Sequence, residues 1–157
     1  MSAQAEPATH DAFSDVEIVG PETITDLPCF EGRAFTISGT VATAWRITQQ
    51  TTGLGFHFAE TETFDMTIVP NDGVGPTYVE HGVERTSFNA DEHNTVFNLT
   101  IPFHDTFVAY DAAGRRVPGQ TIRIQGVTRM LVEDKDAIPG SGARVKVDFQ
   151  RERLDCA

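Results

Sequence analysis

Glu60 and Glu62 stand two residues apart in a stretch whose alternate positions read Phe56, Phe58, Glu60, Glu62, Phe64, Met66 and Ile68. In an extended strand, residues two apart share a face, so one face here is apolar except for two carboxylates. The other face, His57, Ala59, Thr61, Thr63, Asp65 and Thr67, suits water. A slip by one residue would expose the whole apolar set, which specifies the register and aims both glutamates inward. Burying a carboxylate is costly unless it is paired or solvated. Two of them among apolar neighbours repel each other, and the raised pKa that follows makes at least one a candidate general acid or hydrogen-bond donor. The plainer reading places both at the mouth of the fold, or paired with Arg151.

Tyr78 is the third candidate catalytic group, as a phenol able to polarise a carbonyl. It shares one side of its strand with Glu80 and Glu84, while Val79, His81 and Val83 share the other. Both sides mix apolar and charged residues, so the pattern leaves the inner side undecided. Candidate substrate-binding residues are Trp45, Phe56, Phe58, Phe64, Met66, Phe97, Phe103, Met130 and Phe149. These line a pocket or simply fill a core, and Trp45 is either a stacking platform for a ligand or a rim tryptophan. His57, His81, His93 and His104 are scattered without close-spaced ligand pairs, so no metal site is expected. There is no Gly-X-Ser-X-Gly elbow, no His-Glu-X-X-His and no phosphate-cradling loop before a helix, and no cofactor is expected.

The elements that must hold these residues are strands. Period two runs through most of the chain and period 3.6 through none of it, which gives an all-β fold. The first long strand is expected over about residues 33–48, with Phe35, Ile37, Val41, Trp45 and Ile47 on one side. The second covers about 55–69. Asn71-Asp72-Gly73 then supplies residues that accept positive φ in a tight turn. A third covers about 77–88. The fourth carries Phe97, Leu99, Ile101 and Phe103 inward, with Pro102 as a bulge or edge position. Ile122, Ile124, Met130 and Val132 mark the fifth, and Val145, Val147 and Phe149 the sixth. A short extra strand is expected around Val16, Ile18 and Val19.

The 157 residues suit one domain, read as 29–157 behind a partly disordered N-terminal extension over 1–28. Twelve basic against 23 acidic residues leave a formal net charge of -11, which argues against nucleic-acid and anionic-membrane partners. A small apolar molecule is the expected partner, with a homodimer left open. The first residues carry neither a basic n-region nor an apolar h-region. A cytoplasmic location is therefore expected, the alternative being secretion with the signal removed.

Strands this long must bend or coil, and a meander of bent strands suggests an antiparallel up-and-down barrel of about six to eight strands. Closure would bring Cys29, just before the first long strand, beside Cys156, just after the last. A disulfide there is one reading; two unpaired thiols in a cytosolic protein is the other.

The segments Leu27–Thr40, Gly73–Tyr78, Ser87–Asn89 and Val147–Cys156 resemble a group of small actinobacterial β-barrel proteins, many of them secreted. The resemblance covers roughly residues 29–156 and rests on turn and strand-end signals. It implies a calycin-like, lipocalin-like architecture, similar to the small barrels that act as cyclases in actinobacterial polyketide pathways, Diels-Alderase types included. No catalytic residue carries over from those cyclases, because no motif is shared with them.

Two functions are expected from this reading. One is a cofactor-independent cyclase, a pericyclase or Diels-Alderase, that folds a linear polyketide-type substrate inside an apolar cavity by orientation and excluded water. The other is a non-catalytic barrel that binds or carries a small apolar ligand.

Overall fold

The structure is a computed structural model that describes residues 10–49, 55–91, 96–133 and 144–156, with side chains left out at 91, 96–97, 133 and 144–148. Among the described residues seven strands follow one another: β1 (His10–Ile24), β2 (Phe35–Gln49), β3 (Gly55–Pro70), β4 (Thr77–Asp91), β5 (Val96–Tyr110), β6 (Arg116–Glu133) and β7 (Arg144–Cys156). They form one antiparallel sheet in sequence order. Each strand pairs with its chain neighbour, as expected of a meander with short connections. Among the described residues β1 and β7 pair with no strand on their outer sides, so the sheet is open. No helix among the described residues is long and apolar enough to cross a membrane.

The first expectation to be revised is the N-terminal boundary. β1 is a full-length strand paired with β2 from His10–Thr48 to Ile24–Phe35, so residues 10–24 of the expected extension belong to the sheet. Residues 1–9 lie outside the described residues. The apolar pattern undersold β1 because it is an edge strand. Val16 and Ile18 stand exposed, and its pairing shifts between Val19 and Glu22.

Register divides the sheet into rows that cross all the strands. Ile37, Ile68, Tyr78 and Ala109 share one row, followed by Met66, Glu80, Phe107, Ile122 and Cys156. These two rows supply most of the core. Phe35 and Ile68 are fully buried, with Leu27, Met66, Tyr78, Phe107, Ala109 and Ile122 packed against them. The loop after β1 covers this end: the Phe30 ring lies 5.6 Å from Phe35 and 5.4 Å from Tyr78. Cys29, at the bend of this loop, is bonded to Cys156 at the end of β7. The core therefore sits at one end of the inner face and thins out toward the other.

Three glycines shape the curvature. Gly39 sits in the Met66–Glu80 row, Gly82 in the Phe64–Asp105 row and Gly126 in the Phe103 row. A Cβ at Gly39 would strike the Met66 side chain, one at Gly82 the Asp105 carboxyl and Phe64 ring, and one at Gly126 the Phe103 ring. Each lets a neighbour fold across the backbone, and together they run diagonally over the sheet, where missing side chains permit coiling. Pro102 pairs with Val127 of β6, while the β4–β5 ladder breaks between Glu84–Phe103 and Ser87–Thr100. Its absent N–H thus falls where the ladder is already interrupted.

Candidate functional site

The middle rows of the inner face carry the charge. On β3, Met66, Ile68 and Pro70 are buried while Asp65, Thr67 and Val69 are exposed, which puts the even-numbered residues inside. Glu60 and Glu62 share that parity, and Glu62 faces Glu84 directly across β3 and β4. This pairing decides the register of β4, placing Tyr78, Glu80, Glu84 and Phe88 inside. Glu80 faces Met66 and Phe107, and Asp105 faces Gly82 and Ile124. From β3 to β6 every charged side chain described on the inner face is thus a carboxylate. The basic side chains His57, His81, Arg85, His104, Arg123 and Arg129 take the outer parity.

Glu80, Glu84 and Asp105 meet Phe64 and Phe103 around a cavity of about 150 Å³. The local sequence makes this space. Gly82 lies between the two glutamates, so the Asp105 carboxyl and Phe64 ring lean over bare backbone, and Gly126 does the same for Phe103.

Electrostatics follow from burial next to like charge. Burial, and then the negative charge of Asp105, push the Glu80 carboxyl up to about 7, with His81 opposing. Glu84 is raised by burial and then by Glu62, Asp105 and Glu60. Asp105 is raised by burial, with His104 opposing, and Glu60 by burial and then by Glu62. The site therefore holds a carboxylic acid that keeps a large share of its proton near neutrality, beside groups able to accept hydrogen bonds. Among the described residues no three His, Cys, Asp or Glu side chains are placed to hold a metal ion.

Beyond the carboxylates lies an aromatic ladder. The rings of Phe13 and Trp45 stack at 5.7 Å, Trp45 and Phe58 at 6.3 Å, and Phe58 meets Phe88 at 5.1 Å, with Phe56 6.1 Å from Phe88. The ladder crosses β1 to β4 at the end of the inner face opposite the core. Phe13 is half exposed.

The sequence-based candidates are thus divided among three places. Phe64 and Phe103 wall the cavity, and Glu60 and Glu62 sit beside it. Trp45, Phe56 and Phe58 belong to the ladder, and Met66 is buried in the core. Met130 is half-buried, facing Leu99 and Val147. Phe97 lies on β5, and its side chain is outside the described residues.

Two expectations need correction. Tyr78 does not join Glu60 and Glu62. It lies eight residues along β4 from Thr86, the partner of Glu60, which is about 26 Å of strand, and it is buried in the core at the other end. Phe149 does not face inward. The β6–β7 register shifts between Arg129 and Met130, so Val147 stays opposite Met130 while Phe149 pairs with Arg129 on the outer side, 45% exposed.

Glu80, Glu84, Asp105, Phe13 and Phe88 are the residues of the site that sequence reasoning did not assign. Extending the β5 alternation past Phe103 would have found Asp105. Pairing the acid-bearing face of β3 with that of β4 would have found Glu80 and Glu84. Comparison of the chain with protein-family models, curated proteins and solved structures finds no match.

Proposed function

We propose that the inner face of the sheet binds a small, largely apolar molecule, gripped by aromatic side chains and oriented by the protonated carboxyl group of Glu80. The observation that carries this reading is the cavity where Glu80, Glu84 and Asp105 meet Phe64 and Phe103. A face that served only packing would not carry carboxyl groups at a cost in stability, with no inner-facing cation among the described side chains of β3–β6 to offset it. A ligand with a carbonyl or hydroxyl group gives the Glu80 proton an acceptor, and its apolar body covers the ladder of Trp45, Phe58 and Phe88. We read the sheet as the wall of an up-and-down, calycin-like barrel. The disulfide supports this by tying the approach to β2 to the end of β7, and the glycine diagonal supports it by allowing the sheet to coil. The same disulfide favours an oxidising compartment, hence secretion rather than the cytoplasm.

The second reading, a cofactor-free cyclase, is favoured by one observation. An acid poised near neutrality in a half-buried cavity is what polarising a carbonyl requires, while the aromatic wall holds a linear polyketide-type chain in a folded conformer.

The test is a fluorescence titration with N-phenyl-1-naphthylamine, a neutral apolar probe. Saturable enhancement that is lost when Phe64 and Phe103 are both replaced by Ala supports the binding reading; absence of saturable binding refutes it. Incubation with linear polyene and polyketide intermediates separates the two readings. Cyclised product that falls at least tenfold with Glu80→Gln marks an enzyme, and binding without conversion marks a carrier.

A further inference from the structure

Tyr78 takes no part in the carboxylate cluster, yet its surroundings are those of a second site. It is 4% exposed and lines a cavity of about 320 Å³ together with Phe30, Arg33, Gln120, Ile122 and the Cys29–Cys156 disulfide. This volume lies within the range of small-molecule pockets. Its chemistry is the reverse of the first cavity: among the described residues no carboxylate lines it, and the polar side chains present are a guanidinium, a phenol and an amide.

Arg33 is set in place before any ligand arrives. Its guanidinium pairs with Asp72 at 2.8 Å, donates to the Val74 carbonyl, and lies over the Phe35 ring at 5.2 Å. Its Nε is buried and has no hydrogen-bond partner among the described residues. An orphaned buried donor is costly, and Nε itself is closed to the cavity, so what Arg33 offers an acceptor is the part of its charged side chain that lines the space, held in place by Asp72, Val74 and Phe35. Tyr78 feels the same cation: burial raises its pKa and the charge of Arg33 opposes, so the two groups are close and the phenol is protonated at neutral pH. The apolar walls are Phe30, whose ring lies against Tyr78, and Ile122.

We propose that this cavity is a second binding site, taking a small carboxylate with an apolar body. Its anionic group lies between Arg33 and Tyr78, and its apolar part lies against Phe30 and Ile122. A planar, delocalised cation beside a phenol O–H matches the flat acceptor geometry of a carboxylate. The site is set apart from the concave cavity by the row of Met66, Glu80, Phe107 and Ile122, and it does not depend on the function proposed above.

Benzoate is the probe, with benzamide as its neutral isostere, followed by calorimetry and by NMR of the Arg33 side-chain Nε–H. Benzoate is expected to bind saturably and shift that resonance, with benzamide at least tenfold weaker. Tyr78→Phe, which keeps the ring, is expected to weaken benzoate about tenfold, in line with loss of one hydrogen bond to a charged group. Arg33→Met is expected to abolish binding. If Arg33→Met fails to fold, Tyr78→Phe decides. Equal affinity for benzoate and benzamide, unchanged benzoate affinity in Tyr78→Phe, or no saturable binding at millimolar concentration overturns the proposal.

Discussion

Replacing Glu80 by Gln removes an ionisable group whose folded-state pKa is about 7 against an ordinary value of 4.5. The fold binds this proton more tightly than the unfolded chain does, so between the two values the native state holds more protons and stability falls as pH rises. Below about pH 4.5 the group is neutral in both states and costs nothing. Above about pH 7 it is charged in both states and the cost is complete. The 2.5-unit difference (7 − 4.5) corresponds to about 3.4 kcal/mol at full strength. Glu80 keeps partial contact with solvent, which discounts this to roughly 1.5–2 kcal/mol. Gln fills nearly the same space and still donates a hydrogen bond. Urea denaturation of both proteins at about pH 4 and about pH 8 should therefore show near-equal stabilities at the lower pH. At the higher pH, Glu80→Gln should be more stable by roughly 1.5–2 kcal/mol. Glu84, Asp105 and Glu60 are raised in the same direction and should add to the loss of stability as pH rises above the ordinary carboxylate range, whereas Asp72 and Asp111, held low by hydrogen bonds, act in the opposite sense at acid pH. A Glu80→Gln variant that is no more stable than its parent at about pH 8, relative to about pH 4, would refute the assignment of Glu80 as a buried acid.

Three further outcomes are expected. Cys29→Ser with Cys156→Ser opens a cross-link spanning a sequence separation of 127 and should lower stability by about 4–5 kcal/mol in the chain-entropy model, read as a loss in urea midpoint that dithiothreitol reproduces in the parent. Phe35→Ala empties a fully buried position and should cost about 3–5 kcal/mol by the same assay, whereas Val69→Ala, on the exposed side of β3, should stay within about 0.5 kcal/mol. Gly126→Ala places a Cβ against the Phe103 ring and the Arg151 carbonyl, and should cost about 1–3 kcal/mol while shifting the Phe103 ring resonances.

Much of the fold was legible because one face of each central strand is strongly apolar. The alternation from Phe56 to Ile68 specified the register of β3, and the Asn71-Asp72-Gly73 turn appears where expected, with Gly73 at a φ of 67° and its N–H bonded to the Pro70 carbonyl. Against the expected six to eight antiparallel strands, the described residues form seven in an open sheet, and the two cysteines are joined. What could not be read depends on tertiary pairing. β4 has acids on one side and valines with a histidine on the other, so its inner face is decided only by Glu62 meeting Glu84. β1 is an edge strand whose apolar residues Val16 and Ile18 are left exposed, so burial does not enforce a pattern on it. Phe149 looked inward by counting from Val147, and one extra residue at the β7 bulge reversed it. Within the site, Glu60 and Glu62 were visible as inward carboxylates. The more strongly perturbed acid, Glu80, owes its state first to burial and then to Asp105, two residues beyond Phe103 on the neighbouring strand, a juxtaposition that only the sheet creates.

The central claim is that an apolar guest occupies the inner face beside Glu80, and intermolecular NOEs locate such a guest directly. With N-phenyl-1-naphthylamine bound to protein selectively labelled at Phe, the expected contacts are to Phe64 and Phe103, with Phe58 next. Contacts only to the exposed Phe149, or none to Phe64 and Phe103 at saturation, would contradict the account.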